Sequence, residues 1–348
     1  MTGAYFLGNK SIEVRTCQLP EPGEGQVTLR VCACGVCGTD VHIYNGGKGS
    51  AEVTPPVVLG HEFSGYVEKL GANVTGLKVG QLVTVDPNIY CGVCPPCRQG
   101  QKQMCHDMRA VGVNMDGGFA DMCLVPASQC VPVPEGVEPE IAALTEPLAC
   151  CLHGIDRVGI RPGENVLVVG GGTIGQMMVQ LAKLAGAARV VLSEPVAMRR
   201  ELALAMGADG AIDPIHESIP KRLKELLDAD GADVVIECVG SPVTAAQAID
   251  AAARCGRVML FGVPHPDAVL QTAMYPIFQK ELTVMGSFVN PDTHSRAVAL
   301  LKRMDLKPLI THRYPISMLQ QAIEKQTGAD SIKVLVTAKE DGYVHQSS

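Results

Sequence analysis

Asn165-Val-Leu-Val-Val-Gly-Gly-Gly-Thr-Ile-Gly175 is the stretch on which the architecture turns. Val166–Val169 is a continuous apolar run, as expected for a parallel strand buried on both faces. The turn Gly170-Gly171-Gly172-Thr173-Ile174-Gly175 fits G-x-G-x-x-G. Gly170 is expected to make the tight turn, Gly172 to let the backbone approach a pyrophosphate, and Gly175 to let helix and strand pack closely. Thr173 to Ala185 then carries apolar residues at Ile174, Met178, Leu181 and Leu184, near helical period. The phosphates would lie against the first amides and the positive dipole end of that helix.

Glu194 stands nineteen residues beyond Gly175, at the end of the next apolar run, Arg189–Leu192. A carboxylate there hydrogen-bonds an adenosine ribose 2′-hydroxyl and repels a 2′-phosphate, which favours NAD over NADP. Arg199 and Arg200, on the following helix, keep a 2′-phosphate acceptable. Thr173, Ile174, Arg199 and the pair Val239-Gly240 complete the candidate cofactor-binding residues.

The strand theme recurs at Asp233–Ile236, Arg257–Phe261 and Leu282–Met285, separated by helical stretches at Val196–Met206, Ile219–Leu227 and Pro242–Ala253. That alternation is a doubly wound α/β unit, expected over residues 150–287. Residues 1–149 read differently: short β-branched runs such as Gln26–Val31 and Leu82–Val85, broken by Gly/Pro turns, suggest an antiparallel barrel or sandwich-like lobe. Residues 288–348 carry two helical stretches, Thr293–Met304 and Ser317–Gln326, and a strand, Lys333–Thr337. That tail is too small to fold alone and is expected to pack on the first lobe.

At 348 residues, 47% apolar and 19% charged, the chain can bury two cores. A net charge of −7 argues against nucleic acid or an anionic membrane as the main partner. No apolar stretch approaches the roughly 18–20 residues of a membrane-spanning helix. Met1–Lys10 lacks a secretion pattern, so a cytoplasmic location is expected. In a reducing compartment, clustered cysteines among the fourteen read as metal ligands before disulfides.

Cys91, Cys94, Cys97 and Cys105 follow C-x2-C-x2-C-x7-C, within a lobe expected at about 88–107. Short Cys-x2-Cys steps let thiolates converge on one ion, and a four-thiolate zinc has no open position, so it is structural. Disulfides are the competing reading. A second, scattered set joins Cys37, His61, and Glu62 or Glu146. A mixed Cys/His/carboxylate zinc can keep a position open, polarise a carbinol oxygen and lower its pKa. Cys34, just after an apolar run, reads as a small apolar residue. Thr39 could receive the alcohol proton and His42 pass it to solvent through the cofactor ribose, or His42 is an ordinary surface histidine. Asp40 either orients a zinc-bound imidazole or caps a local turn.

In this order, Gly35-Val-Cys-Gly-Thr-Asp40, Gly60-His-Glu62, the four-cysteine lobe, Glu146-Pro-Leu148 and Gly170–Gly175 resemble the zinc-containing medium-chain dehydrogenases across essentially the whole chain. The resemblance implies a GroES-like β-rich catalytic domain completed by the C-terminal return, a Rossmann NAD-binding domain, two zinc ions per subunit, and a dimer or tetramer. It also implies hydride transfer from a small-molecule alcohol. His61-Glu62 and Glu146-Pro-Leu148 are similar to the sorbitol, galactitol-phosphate and threonine dehydrogenase branch, where Glu62 or Glu146 would be a zinc ligand. Gly38–Tyr44 is similar to threonine dehydrogenases, and Lys307–Pro315 to polyol dehydrogenases, where Arg313 would lie near the substrate water network. Lys48 and Arg313 could bind a substrate phosphate. The leading expectation is oxidation of a secondary alcohol of a polyol or sugar derivative to a ketone. The alternatives are a 2-amino-3-hydroxy acid such as threonine, and a non-catalytic relative.

Overall fold

The computed structural model describes residues 1–47, 49 and 51–338. The chain divides into two units: Met1–Ala149 with the described residues from Val289 onward, and Cys150–Phe288. In the second, six parallel strands lie side by side in the order Gly210–Ile212, Arg189–Ser193, Asn165–Val169, Ala232–Glu237, Ala252–Leu260 and Thr283–Gly286. By chain order this is third, second, first, fourth, fifth, sixth, so the winding reverses between Asn165–Val169 and Ala232–Glu237. Ligands of open parallel sheets bind at that reversal, beyond the carboxyl ends of the strands.

The apolar runs explain the strands: Val166, Leu167, Val168, Val190, Val191, Leu192, Val234, Val235 and Ile236 are wholly buried. The crossover helices carry their own end signals. Pro220 lies in the first turn of Ile219–Leu227 and Asp228 closes it at φ +53°. Ser241 caps Pro242–Ala251 by accepting the Thr244 N–H. The helical pattern extends that helix to Ala253, but Ala252 already pairs with Ala232 and opens the next strand. Gly210–Ile212 is too short to announce itself by periodicity and is held by pairing with Val191–Ser193.

In the first unit the strand Gln26–Gly35 pairs antiparallel with Glu62–Leu70, Met122–Pro126 and Lys333–Thr337. The tail therefore returns to the first lobe as expected, with Val336 opposite Cys34. Ile310–Pro315, polar in sequence and mostly half-buried, adds a parallel strand beside Lys333–Thr337. The expected helices of the tail are shorter, His294–Leu300 and Leu319–Gln326. Leu319, Ala322 and Ile323, at helical spacing, join Leu29, Ile43, Leu59, Phe63 and Phe119 in one core. No helix among the described residues is long and apolar enough to cross a membrane.

Candidate active site

Cys37 ends the bend after Gln26–Gly35 and caps the short helix Gly38–Tyr44. Its sulfur accepts the Thr39 N–H at 3.4 Å, and Asp40 Oδ2 accepts the Cys37 N–H at 2.8 Å. This capping box uses cysteine where serine or threonine is usual. It fixes the direction of the thiol while leaving Cys37 half-buried. Thr39 and His42 stand three positions apart on the same helix, both half-buried.

Glu62–Leu70 pairs with that first strand so that Glu62 lies opposite Gly35. A Cβ at position 35 would fall 2.2 Å from Glu62 Oε2, so glycine there makes the room for the carboxylate. Cys37, His61 and Glu62 consequently present one donor atom each within 4.8 Å of one another. Asp40, wholly buried, sets its Oδ1 3.6 Å from His61 Nδ1, and among the described residues neither atom has a hydrogen-bond partner. Burial works against charge on His61, but Asp40 and then Cys37 outweigh it and hold the imidazole well above its ordinary pKa. Asp40 thus occupies the place of a carboxylate that orients a ligand imidazole. Glu146, in the first turn of Thr145–Val158 and 6% exposed, stands outside this trio. A half-buried thiol, a buried imidazole and a buried carboxylate within reach of one point suit zinc, and three protein donors leave a position open.

Lys333 is the residue at this site that sequence reading missed. Its Nζ donates to Glu62 Oε2 at 2.6 Å and to the Val36 carbonyl at 3.0 Å, with both side chains buried. Burial pulls the ammonium down, yet Glu62 and Cys37 hold its pKa above the usual lysine value. The available signal was a lone lysine opening an apolar strand. Arg313 is already engaged rather than free for a phosphate: its Nε and Nη2 donate to the two Glu140 oxygens at 2.8 and 2.6 Å. Lys48 lies outside the described residues. Cys34 is wholly buried in the core.

The four-thiol cluster brings Cys91, Cys94, Cys97 and Cys105 within 4.8 Å of one another, all as free thiols. Cys94 and Cys105 Sγ are 4.0 Å apart, close to the roughly 3.8 Å edge of a tetrahedron with ~2.3 Å zinc–sulfur bonds. Pro95 and Pro96 start the short helix Pro95–Arg98, with Cys94 at its N-terminal boundary. Backbone N–H donors from His106 and Cys97 pull the Cys94 thiol down to about 6. The set fits a closed zinc site.

At the glycine turn Gly170 adopts φ +98°, and a Cβ on Gly175 would fall 1.8 Å from the Gly170 carbonyl oxygen. Gly172 has open space where a Cβ would point, the clearance a phosphate needs. Thr173 and Ile174 start the helix Thr173–Leu184. Glu194, 3% exposed, accepts the Gly171 N–H at 2.6 Å and the Val196 N–H at 2.9 Å. Arg199 Nη1 lies 4.0 Å from Glu194, while Arg200 pairs with Asp213 at 3.1 Å. Val239 and Gly240 follow Ala232–Glu237, with Val239 Cγ2 2.6 Å from where a Gly170 Cβ would be. Gln176, also missed, is wholly buried and braces the turn by donating to the Gly171 and Arg199 carbonyls.

Residues 23–135 match the alcohol dehydrogenase GroES-like domain and residues 173–305 the zinc-binding dehydrogenase domain. The chain is 36% identical over 340 residues to an L-threonine 3-dehydrogenase of Pyrococcus horikoshii, covering 95% of this chain and 96% of that one. It is 38% identical over 327 residues to a sorbitol dehydrogenase of Halalkalibacterium halodurans, covering 91% and 93%. A solved structure described as a zinc-binding dehydrogenase of Sinorhizobium meliloti 1021, bound to NADP, superposes with a TM-score of 0.92 at 39% identity, covering 97% and 98%. With both domains matched and full-length relatives at this identity, the chain belongs to the zinc-dependent medium-chain dehydrogenases.

Proposed function

We propose that the protein is an NAD-linked, zinc-dependent dehydrogenase that oxidises a secondary alcohol of a polyol or sugar derivative to a ketone. The observation that carries this reading is the convergence of Cys37, His61 and Glu62 on one point. Zinc, when bound, supplies Lewis acidity toward the carbinol hydroxyl, and NAD, when bound, accepts the hydride. Cys37, His61 and Glu62 would hold the metal, with Glu146 as the further candidate donor. Asp40 orients His61, and Lys333 balances the charge of Glu62. Thr39 takes the hydroxyl proton and His42, one helical turn on, hands it to water. Cys91, Cys94, Cys97 and Cys105 would hold a second, structural zinc, giving two per subunit.

A neutral hydroxylated substrate suits the charges of the first unit. Arg313 and Lys333, on the two adjacent tail strands, are both taken up by carboxylates, so neither is spare for a substrate carboxylate or phosphate. Oxidation of a 2-amino-3-hydroxy acid is the second reading, favoured by the 36% identity to a threonine dehydrogenase. NAD is preferred over NADP because Glu194 sets a carboxylate beside the glycine turn, at the end of the second strand, where a 2′-phosphate would be repelled, and Arg200 is tied to Asp213. Glu194→Ala should lower kcat/KM for NAD and raise it for NADP relative to wild type. An unchanged cofactor ratio refutes that role.

We further propose a cytoplasmic homo-oligomer, with a tetramer as the expected assembly. The support for self-association is the edge strand Thr283–Gly286, which pairs on one side only among the described residues and is preceded by a helix whose Met274, Tyr275 and Phe278 are largely exposed. The test of the function is NADH formation across polyols, sugar alcohol phosphates and L-threonine, repeated after chelation. Chelator-sensitive turnover of a polyol supports the reading. L-threonine as the sole good substrate replaces it with the second, and chelator-resistant turnover refutes the metal site.

A further inference from the structure

Glu237 ends the strand Ala232–Glu237, at the reversal of the sheet, and is 1% exposed. Its Oε1 accepts the Val239 N–H at 2.8 Å, the Gly240 N–H at 2.9 Å and the Thr244 hydroxyl at 2.8 Å. Its Oε2 takes a second contact from the Gly240 N–H at 3.1 Å. All four contacts come from neutral donors, and among the described residues no lysine, arginine or histidine pairs with it. A buried carboxylate is ordinarily paired, because desolvating an isolated charge is costly. Its field reaches its neighbours: burial, then Cys151 and Glu237, push the Cys238 thiol far above its ordinary value.

The carboxylate also fixes local shape. It pins the turn that puts Val239 over Gly170, while the Glu237 carbonyl accepts the Phe261 and Gly262 N–H groups of the next strand end. A Cβ on Gly262 would fall 2.1 Å from the Gly240 nitrogen, so these two turns are packed backbone to backbone.

Where a dinucleotide lies on this sheet follows from order. The adenosine end sits at Glu194, beyond the strand Arg189–Ser193, and the pyrophosphate crosses at Gly170–Gly175. The nicotinamide half is left the ends of Ala232–Glu237 and Ala252–Leu260. The oxidised nicotinamide ring is cationic and the reduced ring is neutral. We infer that Glu237 is a positioning and charge-setting residue whose buried carboxylate makes the site favour the oxidised cofactor over the reduced one, and so favours the direction of alcohol oxidation. This rests on the nucleotide site proposed above.

The test is to measure dissociation constants for NAD and for NADH with the full-length, zinc-loaded wild type, Glu237→Gln and Glu237→Asp. Glu237→Gln keeps the shape and removes the charge. It should weaken NAD about tenfold more than NADH, the size expected of one charge acting through a partly screened medium. Glu237→Asp keeps the charge on a shorter stem, so it should weaken both forms and leave their ratio at the wild-type value. It also keeps the inference open to refutation if the glutamine variant does not fold. Parallel losses in Glu237→Gln, or a shifted ratio in Glu237→Asp, overturn the inference and reduce Glu237 to a structural brace. Wild type that binds neither nucleotide overturns the underlying site itself, a result separate from any effect of the variants.

Discussion

At the scale of single residues, the site is built from side chains whose neighbours hold them in one arrangement. Cys37 takes its direction from the helix it caps, and Glu62 has room only because residue 35 is glycine. Lys333 completes the set from a strand 271 positions away from Glu62 in sequence. Removing one partner of a buried ion pair leaves the other charge uncompensated, which typically costs about 3–5 kcal/mol. Lys333→Met should therefore lower the unfolding free energy of metal-free protein by about that amount in urea denaturation. A loss below about 1 kcal/mol, the worth of an exposed pair, would show that Lys333 does not support Glu62. The folded-state pKa of Lys333 is raised, so its stabilisation is complete below the unfolded lysine value of about 10.4 and fades only as pH rises past the folded one. The lysine itself therefore adds no slope between pH 6 and 9, and because a proton relieves the unpaired Glu62 of the variant, the wild-type–variant difference should shrink toward the acid end of that range.

At the scale of elements, local devices could be read directly and non-local ones could not. The glycine turn is written in six consecutive residues, and the positions assigned to tight turn, clearance and close packing are those where a Cβ meets respectively Val239, open space and the Gly170 carbonyl. The four-thiol spacing likewise closes on itself within one loop. By contrast, Ile310–Pro315 carries no strand alternation and exists because Lys333–Thr337 offers it a partner. The Arg313–Glu140 pair spans 173 positions, which is why Arg313 read as free for a ligand. Gln176 and Glu237 gave no signal because their partners, backbone groups and the Thr244 hydroxyl, are brought near only by the folded turns. The described cysteines of the thiol lobe are unlinked, so no disulfide among them braces it. Cys97→Ser should thus lower the melting temperature by several degrees and remove one zinc per chain before it alters cofactor affinity. Unchanged stability and zinc content would show that the lobe is not a metal site.

At the scale of the whole molecule, fold class and the return of the tail followed from the pattern of alternation and from the resemblance, whereas partner copies leave only an exposed surface to be read. Phe278, 78% exposed, and Met274, 84% exposed, stand on the helix before the open sheet edge. If that edge pairs with a second copy, Met274→Glu with Phe278→Glu should lower the mass found by analytical ultracentrifugation while leaving the fold intact by circular dichroism. An unchanged mass would place any interface elsewhere. The central claim is that Cys37, His61 and Glu62 hold the zinc on which alcohol oxidation depends. It is tested most directly by counting zinc per chain alongside NAD-dependent turnover in wild type and Cys37→Ser. The account predicts two zinc ions and turnover in wild type, against one zinc ion and a loss of at least about a thousandfold in kcat for the variant, roughly 4 kcal/mol of barrier. A Cys37→Ser protein that keeps both its zinc complement and near-normal turnover would contradict it.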